Sequence, residues 1–74
     1  MIIREESVRL GSEIYEIILE EYENGYALII TDGYSVIYRK EFDFEEDAME
    51  SFDYAVDNLY KLIYRSRDFE GRKT

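Results

Sequence analysis

The chain contains no cysteine, no histidine, no proline and no tryptophan. Without cysteine there is no disulfide, and without cysteine or histidine the usual ligands of structural zinc are missing. The same absences remove the Ser-His and Cys-His pairs of nucleophilic catalysis, along with imidazole as an acid and base. Paired carboxylates remain for glycosidase-type chemistry, but that chemistry needs a cleft able to hold a sugar. The four glycines fall at turns and in the tail, and none belongs to a phosphate-cradling motif. The expectation is a protein that is not an enzyme and uses no cofactor.

Bases are scarce as well. Nine Lys and Arg stand against 18 Asp and Glu in 74 residues, for a net charge of −9. A surface this acidic repels phosphate backbones and anionic lipid, so neither direct nucleic-acid binding nor membrane binding is expected. It attracts a basic protein surface and speeds the encounter. Met1-Ile2-Ile3 runs directly into Arg4-Glu5-Glu6, which does not begin a signal peptide or a membrane span. With no cysteine, the cytoplasm is the expected address. The length predicts one small domain, 1–74, whose core supplies only roughly 3–5 kcal/mol unaided. A hydrophobic fraction of 46% is that of an ordinary globular chain, not a disordered one.

Turn signals organise the first half. Asn24-Gly25 and Asp32-Gly33 suit the positive φ angles of two-residue type I′ hairpins. They separate three β-rich runs, 13–22, 26–31 and 34–42, which read as a meander over 13–42. Gly11-Ser12 is a candidate third turn, making 1–9 either an N-terminal arm or an edge strand. A helix is predicted over 43–67, with Asp43 as N-cap and Glu46 completing the capping-box spacing. Its apolar set is Ala48, Phe52, Ala55, Val56, Leu59, Leu62 and Ile63. Residues 68–74 form a basic, frayed tail. The fold class is α+β: a three- or four-stranded antiparallel sheet with one C-terminal amphipathic helix packed on one face.

Two-residue turns place Tyr15, Ile17, Leu19, Tyr26, Leu28, Ile30 and Ile37 on the helix-covered face. The other face then carries Ile14, Ile18, Tyr22, Ala27, Ile29, Tyr34, Val36 and Tyr38, interleaved with Glu16, Glu20 and Lys40. One helix covers only one face, so a tyrosine-rich, half-apolar surface is expected to remain. A longer loop or a bulge would exchange the faces.

Charge is concentrated. Residues 41–57 hold eight carboxylates and no base, yet carry the apolar pattern of a folded helix. Glu46, Glu50, Asp53 and Asp57 are spaced four, three and four apart, one stripe opposite the apolar one. Neighbouring carboxylates on such a stripe lie about 5–6 Å apart, close to the roughly 6–7 Å between phosphates along a nucleic-acid strand. A solvated face is the ordinary reading of such a run, and acids in the first turn also suit the helix dipole. The dipole does not account for Asp53 or Asp57. Like charges at this spacing cost roughly 0.2–0.5 kcal/mol per pair. The eight tyrosines are the second signal: Tyr22, Tyr34, Tyr38 and Tyr54 offer stiff contact area, although half-buried strands favour aromatics anyway. The segment DFEEDA, 43–48, starts like a calcium loop. It then places Ala48 where glycine is needed and Tyr54 where glutamate is needed, so no metal site is expected.

The dense acids at Glu41, Asp43, Glu45, Glu46, Asp47, Glu50, Asp53 and Asp57, with Glu13, Glu16, Glu20, Glu21 and Glu23, resemble in layout the small phage-encoded inhibitors of bacterial defence. Among these, the acidic anti-CRISPR and anti-restriction DNA mimics are the most similar. The likeness covers 13–57, contains no specific motif, and is broken by the basic tail. It implies an inhibitor occupying an effector's DNA cleft, with Glu46, Glu50, Asp53, Asp57, Glu16 and Glu20 standing in for phosphate and Tyr22, Tyr34, Tyr38 and Tyr54 supplying contact. The competing expectation is a small structural or regulatory homodimer through the uncovered sheet face, its acidity serving only solubility.

Overall fold

A computed structural model of the chain describes residues 1–64. Four strands, β1 (Ile2–Leu10), β2 (Glu13–Tyr22), β3 (Gly25–Thr31) and β4 (Val36–Phe42), precede the helix α1 (Glu45–Asp57). The strands form one antiparallel meander in the order β1-β2-β3-β4. The expected α+β architecture is present, and residues 2–10 are a full edge strand. Gly11, at φ 64, and Ser12 make the two-residue turn that joins it to β2.

Two of the three hairpins differ from the expected register, with opposite consequences. In β2–β3, Tyr22 pairs with Gly25, so the turn residues are Glu23 and Asn24 rather than Asn24 and Gly25. That moves the register by two residues, and the side-chain period is two, so every side chain keeps its face. Tyr15, Ile17, Leu19, Leu28 and Ile30 are accordingly buried, and Tyr26 packs against them. Gly25 is needed for a different reason: a Cβ there would lie 2.6 Å from the Phe42 carbonyl oxygen. Because that obstacle is backbone, Gly25→Ala should cost about 1–3 kcal/mol, read as a lower urea midpoint with unchanged slope.

In β3–β4 the two-residue turn at Asp32-Gly33 is replaced by a four-residue loop, with Thr31 opposite Val36. The Asp32 carboxylate accepts hydrogen bonds from the Tyr34 and Ser35 amides at 2.9 and 3.0 Å, which draws both residues into the loop. Thr31 closes it, its hydroxyl donating to the Ser35 carbonyl oxygen at 2.8 Å and accepting from the Gly33 amide at 3.1 Å. A bulge follows, and Ile30 then pairs with Tyr38 and Leu28 with Lys40. The net shift is odd, so β4 turns over. Tyr38 and Lys40 lie on the helix side, correcting their expected place on the open face. Tyr34 lies on neither face. It is 97% exposed at the loop tip.

The helix also differs at both ends. Phe44, extended at φ −122, is the N-cap, with no side-chain capping bond, so the expected Asp43 cap and capping box do not form. Glu45, Glu46 and Asp47 occupy the first turn, where their charge favours the exposed N–H groups. At the other end Asn58 leaves helical geometry, and both its backbone and its side-chain N–H donate to the Tyr54 carbonyl oxygen, at 2.8 and 3.2 Å. Residues 59–64 are helical again. The expected single helix over 43–67 is thus broken at Asn58, by a side chain that competes with the backbone for its own carbonyl partners. The part of that helix beyond residue 64, and the basic tail, fall outside the described residues.

Ala48, Phe52, Ala55, Leu59 and Ile63 are buried against the sheet face carrying Tyr15, Ile17, Leu19, Leu28 and Ile30, with Val56 and Leu62 packed at the margin. The helix therefore stands on one face of the sheet and directs everything else outward. Among the described residues no helix is long and apolar enough to cross a membrane.

An anionic ridge as candidate partner-binding surface

Successive α-helical residues turn by about 100°, so residues facing Ala48, Phe52 and Ala55 from the far side are those at Glu46, Glu50, Asp53 and Asp57. All four are exposed, and α1 has no base in its last turn. The ridge spans eleven residues of rise, about 16 Å. Its rigidity is borrowed from Phe52 and Ala55, which anchor the opposite side of the same turns. Tyr54 borders it, four residues after Glu50 and three before Asp57, and is 48% exposed. Asp43, Glu45 and Asp47, also exposed, widen its N-terminal end. The same charge reaches Tyr26, whose phenol is pushed above its ordinary pKa by partial burial, then by the carboxylates of Glu21 and Glu45.

One ridge acid has a cation beside it. The Arg4 guanidinium lies 3.4 Å from the Asp53 carboxylate and 4.7 Å over the Phe52 ring. Both partners are well exposed, so the pair contributes little, about 0–1 kcal/mol. Its placement follows from the β1–β2 register, which puts Arg4 opposite Leu19 on the helix side. Nothing in the local sequence announces it. Among the described residues, Glu46, Glu50 and Asp57 have no ion-pair partner.

Asp57 sits where the helix dipole is most hostile to an acid, one turn after Asp53. Asp57→Asn should therefore stabilise the fold by about 0.3–1 kcal/mol. In a domain of this size that raises Tm by roughly 1–8 °C. Thermal unfolding followed by circular dichroism measures it, and the gain should shrink in high salt.

The other expected site residues are not part of this surface. Glu16 and Glu20 occupy the open sheet face, on the far side of the sheet from the ridge. There the Ser7 hydroxyl donates to Glu16 at 2.7 Å, and the Tyr22 hydroxyl donates to Glu20 at 2.7 Å. Arg39 joins this face. It pairs with Glu41 and lies over the Tyr22 ring, and the bond to Glu41, then that to Tyr22, raises its pKa further. Of Tyr22, Tyr34 and Tyr38, only Tyr22 stands on the open face. Tyr38 instead lines a cavity of about 260 Å³ with Leu28, Lys40, Ser51, Tyr54 and Lys61. The structure brings together Glu46, Glu50, Asp53, Asp57 and Tyr54, with Tyr38 beside Tyr54 on the helix side of the sheet; it separates these from Glu16, Glu20, Tyr22 and Tyr34.

Fold and surface together define a small acidic α+β domain with a one-sided anionic ridge. No protein family, no curated protein and no solved structure matches the chain.

Proposed function

We propose that the protein is a non-enzymatic inhibitor whose helical ridge docks in a basic, nucleic-acid-binding groove of another protein, as an anti-CRISPR or other DNA mimic does. The observation that carries this reading is the ridge itself. Four carboxylates, which helix geometry sets at a spacing close to that of phosphates, sit on a buried-anchored helix, three of them without an ion-pair partner among the described residues. A chain selected for solubility alone would gain from interleaved lysines at i,i+4. This helix has none, and it places an acid at its own negative end.

In the proposed mechanism the ridge displaces phosphate from cationic side chains, and Tyr54 covers the flank with rigid contact area. Counterions held by both surfaces are released on docking, so the complex is salt-sensitive. The test is DNA binding by guide-loaded CRISPR nucleases and restriction enzymes, titrated with this protein. Inhibition that is strong at about 50 mM salt and largely lost by about 200 mM supports the reading. Absence of inhibition across such a panel, or inhibition indifferent to salt, overturns it.

A further inference from the structure

The sheet order leaves two edges, β1 and β4. β4 is seven residues long, begins at the bulge beside Thr31, and closes its ion pair within the strand, between Arg39 and Glu41. β1 differs on each count. It is nine residues long, and after an irregularity between Ile2 and Arg4 it pairs with β2 without interruption from Arg4 to Leu10. It contains neither proline nor lysine, two of the devices that keep an exposed edge from pairing. The amino group of Met1 is tied inward, donating to the Glu21 carbonyl oxygen at 3.0 Å, so it does not reach across the outer side of the strand.

We propose that this edge pairs with the β1 edge of a second copy, antiparallel about a two-fold axis through Ser7, to form a continuous eight-stranded sheet. The choice of axis follows from side-chain faces and charge. Opposite residues of an antiparallel pair share a face, which restricts a symmetric pairing to axes that pass through a residue. An axis through Glu5 sets Glu5 against itself, and one through Glu6 does the same to Glu6. An axis through Val8 leaves Arg9 facing serine and makes no ion pair. The axis through Ser7 sets Glu5 against the second copy's Arg9, and Arg9 against the second copy's Glu5. It opposes Glu6 with Val8 and Arg4 with Leu10, and sets no like charges directly opposite, the two Glu6 side chains meeting only diagonally across the axis. It is also the midpoint of the regular stretch Arg4–Leu10, so this register uses all of it.

Such a dimer places both helices, and both anionic ridges, on the same side of the joined sheet. The pairing rests on the edge alone and stands or falls independently of what the ridge binds. Glu5 and Arg9 stand on the open face, opposite Ile18 and Ile14, so the edge pairing is told from a dimer through that face by rescue in the double swap, which the Ser7 register requires.

Sedimentation equilibrium of the full chain from about 1 µM to 1 mM tests it, together with Glu5→Arg, Arg9→Glu and the double swap. All these positions are exposed, and circular dichroism verifies that the fold is kept. Each single swap turns two attractive cross-strand pairs repulsive, which should weaken association about tenfold or more. The double swap, with the original net charge, should restore it to within about threefold. A monomer throughout the range overturns the proposal. So does a dimer that the single swaps leave unchanged, or one that the double swap fails to rescue.

Discussion

Phe52→Ala should leave most of the chain unfolded at room temperature. Phe52 is 1% exposed, the largest fully buried side chain among the described residues, and it stands between α1 and the sheet with the Arg4 guanidinium over its ring. Truncating a buried phenylalanine costs about 3–5 kcal/mol, the transfer loss plus the cavity left behind. A core in a domain this small supplies roughly the same amount in total. The two figures nearly cancel, and no disulfide adds to the stability. Phe52→Leu, which keeps most of the volume, should cost less than about 1.5 kcal/mol and stay folded. Far-UV circular dichroism with urea titration distinguishes the pair. A cooperative Phe52→Ala transition shifted by under about 1 kcal/mol would mean that the sheet is stable without its helix.

The covered face of β2 and β3 was legible because alternation is insensitive to a register error of two. Tyr15, Ile17, Leu19, Leu28 and Ile30 are buried whether the turn is at Asn24-Gly25 or at Glu23-Asn24. The β4 face was not legible. It depends on the bulge between Ile30 and Thr31, which alternation does not record; the two residues that Asp32 draws into the loop move the register by two and leave the face unchanged. Tyr38 and Lys40 were misplaced for that reason alone. The helix was legible through its apolar spacing, and the acid stripe through the same arithmetic. Its break at Asn58 was hidden because asparagine inside an apolar repeat reads as a tolerated interior residue. The Arg4–Asp53 contact spans 49 positions and depends on the register of an edge strand, so no local pattern foreshadows it. Glu16 and Glu20 were legible as open-face residues. Grouping them with the helix acids overlooked the sheet that stands between.

Neutralising Glu50, Asp53 and Asp57 together, as Glu50→Gln, Asp53→Asn and Asp57→Asn, should weaken partner binding about a hundredfold. That is about 2.7 kcal/mol, or roughly 1 kcal/mol for each carboxylate docked against a cation. Folding stability should not fall with it. The exchange removes like-charge neighbours and an acid at the helix C-terminus, and loses only the exposed Arg4–Asp53 pair. A surface kept purely for solubility predicts the reverse: lower solubility and no effect on binding. Net charge alone also changes by three, and general electrostatic attraction would respond to that wherever the charges sit.

Position therefore has to be separated from quantity. The comparison is between the ridge variant and one carrying Glu16→Gln, Glu20→Gln and Glu41→Gln, which removes the same three charges from the open sheet face. Titrated against one inhibited effector at fixed salt, the ridge variant should lose about a hundredfold in affinity and the open-face variant less than about fivefold. Equal losses in the two, or a greater loss from the open face, would contradict the assignment of the helical ridge as the docking surface.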